Sequence, residues 1–131
     1  MISLDTNVIV RFLVNDRPEQ ALIAKRLVED NEVFVCMTVI VELDRVLRTA
    51  YGFSGKEVAA AIGIFAGLPT VEIEAPQRLA RALEAASAGM DLADCLHMLA
   101  RSDMEFATFD QPLAKRNETN SLVPVIALKS L

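Results

Sequence analysis

Five short apolar segments alternate with longer helical patterns along this chain of 131 residues. The segments lie at residues 1–5, 32–36, 70–74, 105–109 and 124–127. Each has the length of a β-strand and is too short for a typical helix. Strands that are separated by helices pair in parallel, because a crossover connection must bring the chain back to the same end of the sheet. The alternation therefore predicts an α/β fold with a mostly parallel five-stranded sheet that is flanked by helices.

Capping residues and helix breakers set the limits of the predicted helices. Thr38 is the predicted N-cap of the third helix, and Ser54 with Glu57 has the spacing of a capping box at the start of the fourth. The first strand has no polar alternation and is predicted to be buried. The predicted helices cover residues 7–14, 18–29, 38–50, 54–68, 76–88 and 91–102, and a last helix begins at residue 111.

The bulk composition indicates a single folded domain over residues 1–131. Hydrophobic residues make up 53% of the chain, which is enough for a core, and the charged fraction of 24% is ordinary for a globular protein. The formal net charge of −5 disfavours a protein that coats nucleic acid by electrostatics alone. A nuclease stays possible, because a cluster of metal-binding carboxylates would itself contribute negative charge.

The cysteines and the histidine limit the chemistry that is available. Cys36 and Cys95 form no C-x-x-C pair and His97 is the only histidine, which excludes the usual structural zinc site and metal-free RNA cleavage by two histidines. Both thiols lie in apolar stretches and are predicted to be buried small hydrophobes. Nucleophile-elbow and glycine-rich phosphate-binding motifs are absent from the sequence.

The most apolar window, residues 58–68, is too short to span a bilayer. No signal peptide is predicted either, so we expect a cytoplasmic protein without membrane contact.

Four acidic residues stand where a predicted strand ends or a helix begins: Asp5, Glu42, Asp94 and Asp110. Carboxylates in apolar surroundings lose hydration, and several that are brought together repel one another unless a cation is bound. Hard cations such as Mg²⁺ take oxygen ligands and suit phosphate chemistry. The set therefore indicates a metal-dependent site that cleaves phosphodiester bonds.

Asp5 and Asp110 each follow an apolar strand, and in parallel sheets ligands bind beyond the carboxyl ends of the strands. Both residues are also placed to cap the next helix, and for Asp5 alone the two interpretations are evenly balanced. The neighbouring hydroxyls of Thr6 and Thr108 are candidates to hold the two carboxylates by hydrogen bonds.

The remaining acidic candidates lie on predicted helices. Glu42 could form a surface pair with Arg45, but the apolar residues before it predict a buried helix start and favour a functional role. Asp94 is favoured as a ligand because its helix is otherwise apolar. Asp91, three residues earlier on the same helix face, is interpreted as a cap or an accessory residue. His97 is interpreted as a core histidine with a satisfied hydrogen bond rather than as a member of the site.

These motifs, taken in order, resemble the PIN domain family, and within it the VapC toxins of bacterial toxin–antitoxin pairs. The resemblance spans nearly the whole chain and rests on Ile2-Ser3-Leu4-Asp5-Thr6-Asn7, the helix of Glu42, Asp91-Leu92-Ala93-Asp94-Cys95-Leu96-His97 and Thr108-Phe109-Asp110. It implies a three-layer α/β domain with Mg²⁺- or Mn²⁺-dependent endoribonuclease activity and an RNA substrate. In the family the acidic set corresponds to Asp5, Glu42, Asp94 and Asp110, with Asp91 as a further acidic position. The resemblance also implies a homodimer and a cognate antitoxin protein that inserts a peptide near the active site.

The leading hypothesis is hydrolysis of RNA by metal-activated water, with Glu42 as the candidate to steer that water. The candidates for binding the RNA backbone, each of which could equally be a surface charge, are Arg11, Arg45, Arg48, Lys115 and Arg116. The alternative is a PIN-like protein-binding module with weak or no catalysis, which the acidic net charge favours. A phosphoacceptor domain is disfavoured, because the third strand offers only Glu72 and Glu74 instead of a terminal aspartate.

Overall fold

The computed structural model describes residues 1–129 and has an α/β fold. Ser130 and Leu131, which belong to the single domain predicted over residues 1–131, lie outside the described residues. In the described range the elements are β1 (Ile2–Ser3), α1 (Thr6–Leu13), α2 (Pro18–Asp30), β2 (Val33–Val35), α3 (Met37–Tyr51), α4 (Gly55–Ala66), β3 (Val71–Ile73), α5 (Pro76–Ser87), α6 (Leu92–Leu99), β4 (Phe106–Thr108), α7 (Gln111–Asn120) and β5 (Val125–Ala127).

All strand pairs are parallel, but the strands of residues 1–129 form two sheets instead of the predicted five-stranded one. A three-stranded sheet has the order β1-β2-β3, and β4 pairs with β5 in a separate ladder. β1 is only two residues long, and the chain leaves it for α1 at Thr6. A strand this short offers few backbone groups for a second ladder, and this agrees with the separation of the two sheets.

The first strand is also less buried than its sequence predicts. Ile2 is 38% exposed and Ser3 is exposed, whereas Leu4 just beyond the strand is buried. The central strand β2 has strands on both edges, and its Val33 and Val35 are fully buried. The absence of polar alternation predicted a buried first strand, and for Ile2 and Ser3 this prediction is wrong, because burial depends on what covers the strand.

The core is formed by side chains of β2, β3 and all the helices, with the most residues from α3, α4, α5 and α6. Its largest fully buried side chains include Ile40, Leu47, Ile62 and Phe65. The ring of Phe65 packs edge-on against Phe12 with the centroids 5.2 Å apart, which joins α4 to α1. α3 packs against both α1 and α6, so the core positions the helices that carry Glu42 and Asp94.

The predicted N-cap is confirmed for the fourth helix and is wrong for the third. The Ser54 hydroxyl accepts the backbone N–H of Glu57 at 3.1 Å, and the Glu57 carboxylate accepts the N–H of Ser54 at 2.9 Å, so the capping box is confirmed. The N-cap of α3 is Cys36, two residues before the predicted Thr38, because β2 ends at Val35 and the helix begins at Met37.

The segment around α6 is shorter than predicted. Gly89, with φ of 105°, reverses the chain after α5 in a conformation that favours glycine, and it leads directly to Asp91. α6 ends at Leu99 rather than at residue 102. Beyond it, Arg101 binds both carboxylate oxygens of Asp103 at 2.9 and 2.8 Å in an exposed turn.

Among residues 1–129, no helix combines the length and the apolar character that a membrane crossing requires.

Candidate metal centre

Asp5 and Asp110 occupy equivalent positions, each between the end of a strand and the start of a helix. Asp5 is the N-cap of α1, and its Oδ1 accepts the backbone N–H of Thr6 at 2.7 Å. Asp110 is the N-cap of α7, and its Oδ1 accepts the N–H of Leu113 at 3.0 Å. Both residues are exposed. Capping uses one oxygen of each carboxylate, so the other oxygen is available for a ligand.

Asp94 lies in the first turn of α6, close to two other carboxylates. It is partly buried, and its pKa is raised above the ordinary value, first by loss of hydration and then by the charges of Asp91 and Asp110. The charges of His97 and Arg48 act in the opposite direction. Asp91 and Asp110 are therefore both within electrostatic range of Asp94, and we call these three residues the acidic cluster.

Asp91 has a partner for each of its carboxylate oxygens. It is the N-cap of α6, where Oδ1 accepts the backbone N–H of Asp94 at 3.0 Å. Its Oδ2 lies 3.5 Å from Nη2 of Arg48. Asp91 thus builds the first turn of the helix that carries Asp94, and its further role as a metal ligand stays a prediction.

Beside the acidic cluster, buried Asp44 forms an ion pair with partly exposed Arg48, and the sequence did not lead us to expect this pair. Asp44 is only 1% exposed. Its Oδ1 accepts Nε–H of Arg48 at 3.0 Å, and its Oδ2 accepts Nη2–H at 2.8 Å. An aspartate followed by an arginine four residues later was the visible signal, because that spacing places both side chains on one helix face.

Glu42 lies on the exposed side of α3, which corrects the prediction that this part of the helix is buried. The buried side carries Ile40, Leu43 and Leu47 at helical spacing. At about 100° per residue, Glu42 falls nearly opposite Ile40. Within residues 1–129, Glu42 forms no ion pair with Arg45. Its role in the site stays a prediction.

The two threonine hydroxyls do not hold the carboxylates as predicted. Thr108 Oγ1 accepts the backbone N–H of Asp110 at 3.0 Å and does not contact its carboxylate. Thr6 is 4% exposed, and its Oγ1 has no hydrogen-bond partner within the described chain. Thr108 therefore shapes the turn into α7, and the backbone amides of Thr6 and Leu113 orient the carboxylates instead.

The histidine and one of the cysteines differ from their predicted environments. His97 is exposed on α6, so its interpretation as a core residue is wrong. Cys95 is fully buried as predicted, and burial raises the pKa of its thiol to about 12. Cys36 is only partly buried at the start of α3, where its hydrogen bond with the Thr38 hydroxyl lowers the pKa of its thiol.

The basic residues predicted to bind RNA fall into two groups. Arg11 is engaged by Gln20, Asp16 and the Tyr51 hydroxyl, at 2.8, 3.1 and 3.0 Å. Arg48 is engaged by the ion pairs described above. The candidates that are exposed and form no ion pair within residues 1–129 are Arg45, Lys115 and Arg116.

The acidic cluster fits a divalent cation in charge and in donor type. Its donors are carboxylate oxygens, which hard cations prefer. A cation would relieve the repulsion that raises the pKa of Asp94. In the described part of the chain, no group of three Asp, Glu, His or Cys side chains is placed to hold one ion. The carboxylate of Asp5 accepts a hydrogen bond from the amide of Thr6. The chemistry therefore fits, and closure around an ion requires side chains to move.

Comparison with known proteins identifies the family. Neither a curated protein nor a solved structure matches the chain. The family model described as the PIN domain matches residues 2–117, a span that includes all five predicted acidic residues. PIN domains are generally nucleases and typically use divalent metals. The chain belongs to the PIN domain family.

Proposed function

We propose that the protein is a Mg²⁺-dependent endoribonuclease, with Mn²⁺ able to substitute, and the VapC-like toxin of a type II toxin–antitoxin pair. One observation carries the proposal beyond family membership. Asp94 is a partly buried carboxylate whose pKa is raised by lost hydration and by two neighbouring carboxylates. Such an arrangement costs stability in the free protein, and it is typical of sites that are built for a cation.

Asp5, Asp94 and Asp110 would hold the cation, with Glu42 and Asp91 as further acidic residues. A bound Mg²⁺ lowers the pKa of a coordinated water and offsets charge on the phosphate. The chain itself contributes orientation: the hydrogen bonds from Thr6 and Leu113 fix one oxygen of Asp5 and of Asp110.

Glu42 is exposed and is our candidate to accept a proton from the attacking water. Exposure suits this role, since the group must reach both the water and the solvent. We propose Arg45, Lys115 and Arg116 as contacts to the RNA backbone, because within residues 1–129 no ion pair occupies them.

We extend the proposal to a homodimer and to a cognate antitoxin as binding partner. Three exposed apolar side chains support a further protein contact: Leu22 and Ile23 on α2, which are 50% and 67% exposed, and Ile64 on α4, which is 71% exposed. Sedimentation analysis of the wild-type protein tests the dimer. A single species of monomer mass at micromolar concentration would contradict it.

The substitution Asp5→Asn tests the proposed activity. Asparagine keeps the side-chain oxygen that accepts the Thr6 amide, so the fold and the cap are expected to survive. Metal-dependent cleavage of a single-stranded RNA is expected to fall by at least about 100-fold, since even the outer partners of metal ligands contribute roughly 10–100-fold. Asp30→Asn, at the exposed end of α2, is the matched control with unchanged cleavage. Full activity of Asp5→Asn would contradict the site assignment.

A protein-binding module without catalysis is the second candidate. The net charge of −5 favours it. Calorimetric titration with Mn²⁺ separates the two functions. The nuclease predicts saturable binding that Asp94→Asn abolishes, whereas the binding module predicts no binding that depends on this carboxylate.

A further inference from the structure

The guanidinium of Arg48 is held in place by a buried carboxylate. Asp44 is 1% exposed, and its two oxygens accept separate N–H groups of Arg48 at 3.0 and 2.8 Å. A two-point contact of this kind fixes the orientation of the guanidinium plane as well as its position. Arg48 is therefore an anchored charge, unlike an exposed arginine that samples many rotamers.

The same guanidinium reaches a second helix. Its Nη2 lies 3.5 Å from Oδ2 of Asp91, and the other oxygen of Asp91 caps α6 by accepting the N–H of Asp94. A continuous set of contacts thus runs from Asp44 on α3, through Arg48 and Asp91, to the first turn of α6. Glu42 is carried on the same helix as Arg48, so these contacts also relate the two helices that bear Glu42 and Asp94.

We propose that Arg48 is a positioning residue of the proposed metal site, which holds Asp91 and the first turn of α6 so that Asp94 meets the cation at a fixed place. The inference rests on the proposed function. Its physical basis is geometric: the guanidinium that Asp44 anchors lies 3.5 Å from Asp91, and Asp91 caps the helical turn of Asp94. An anchored positive charge at this place opposes the separation of neighbouring carboxylates. Arg48 acts through Asp91, and we assign it no contact with the substrate.

A positive charge beside a cation site could have the opposite effect, because it would repel the incoming ion. The two effects predict opposite changes when the contact is removed. Loss of positioning weakens cation binding, whereas loss of repulsion strengthens it. The double substitution Asp44→Asn with Arg48→Gln removes the contact to Asp91 without changing the net charge or stranding a buried carboxylate.

Calorimetric titration with Mn²⁺ of four proteins tests the inference: wild type, the Asp44→Asn/Arg48→Gln double variant, Asp91→Asn, and the triple variant. Asparagine at position 91 still caps α6 but loses the ionic contact to Arg48. We expect about tenfold weaker Mn²⁺ binding in the double variant and in Asp91→Asn, which is the usual effect of removing a partner that orients a ligand. The loss in the triple variant is expected to be smaller than the sum of the other two losses, because both of them include the contact between Arg48 and Asp91.

Arg101 and Asp103 provide a matched control. They form the same two-point pair at 2.9 and 2.8 Å, but both are exposed, and the pair lies beyond the opposite end of α6. Arg101→Gln with Asp103→Asn is expected to leave the Mn²⁺ affinity unchanged.

The variant Arg48→Lys keeps the positive charge but loses the planar guanidinium. We expect its Mn²⁺ binding to be at least about threefold weaker, since lysine cannot reproduce a bidentate contact.

Unchanged or tighter Mn²⁺ binding by the Asp44→Asn/Arg48→Gln variant would overturn the inference, and so would additive losses in the triple variant. If the double variant does not fold by circular dichroism, Arg48→Lys takes its place in the same cycle with the same criteria. Wild-type protein that binds no Mn²⁺ would overturn the proposed function and this inference together. If the wild type binds Mn²⁺ but the affinity losses of the double variant and of Asp91→Asn add up in the triple variant, only the role of Arg48 would be overturned.

Discussion

Oδ1 of Asp91 accepts the backbone N–H of Asp94 at 3.0 Å, so one acidic residue builds the helical turn that carries the next. The same proximity makes the charge of Asp91 raise the pKa of Asp94. Asp91 therefore both caps the helix of Asp94 and repels the carboxylate of Asp94. The local structure keeps two carboxylates together at a cost in stability, and a bound cation would remove that cost.

The stability of the metal-free protein is predicted to depend on pH through Asp94. Because the folded pKa of Asp94 is above its ordinary value of 3.8, the folded protein binds its proton more tightly than the unfolded chain does. The free energy of unfolding of the wild type therefore falls as the pH rises from below 3.8 through the folded pKa, and Asp94→Asn lacks this loss. The change is expected to be below about 1 kcal/mol, since solvent screens a partly exposed group.

Urea denaturation in EDTA over a pH series measures this effect. The unfolding free energy of Asp94→Asn minus that of the wild type should increase with pH and then level off above the folded pKa. Asp30→Asn, on the exposed end of α2, is the control for a general change in net charge. A difference between Asp94→Asn and wild type that is constant or shrinks with rising pH would contradict the assignment.

Breaking the Asp44–Arg48 pair from one side is predicted to destabilise the fold. Arg48→Met leaves the Asp44 carboxylate buried without its two hydrogen bonds. We expect a loss of about 2–4 kcal/mol in the free energy of unfolding, because an unpaired buried charge is not rehydrated. The Asp44→Asn/Arg48→Gln variant should lose markedly less. Urea denaturation at neutral pH decides this, and a loss in Arg48→Met below about 0.5 kcal/mol would show that the pair contributes no net stability.

The proposed RNA contacts on α7 are predicted to show in the salt dependence of binding. In the non-cleaving Asp5→Asn background, Lys115→Gln with Arg116→Gln should reduce the slope of log affinity against log salt by about 1.4, because each phosphate contact to a single strand contributes about 0.7. Fluorescence anisotropy with a labelled RNA measures the slope. Lys25→Gln with Arg26→Gln on α2 is the charge-matched control with an unchanged slope. Equal effects of the two pairs would mean that the RNA responds only to net charge.

The strands and most helix limits could be predicted from the sequence because their signals are local. The five apolar runs contain the five strands, and the hydroxyl and carboxylate of Ser54 and Glu57 form the predicted capping box. The division into two sheets could not be predicted, since it depends on whether the two-residue strand β1 has a partner on each edge. Pairing between distant segments leaves no local trace in the sequence.

The candidate site was also predictable only where the sequence signals are local. The positions of Asp5 and Asp110 at strand ends follow from local patterns and are confirmed. Glu42 was expected to be buried because its neighbours are apolar, yet the angle around the helix places it on the exposed side. Asp44 was overlooked, although its burial and its pairing with Arg48 make it the most enclosed carboxylate of α3. Burial of a charged residue depends on the packing of other helices, and helical spacing alone does not supply that information.

Convergence of Asp5, Asp94 and Asp110 on one cation is the central claim, and paramagnetic broadening by Mn²⁺ tests it most directly. In a spectrum of ¹⁵N-labelled protein with a trace of Mn²⁺, the amide signals of Thr6, Cys95 and Gln111 should broaden most strongly, since each follows a proposed ligand. Excess Mg²⁺ should restore them by competition. Strongest broadening in another part of the molecule, or broadening at only one of these three amides, would contradict a shared site.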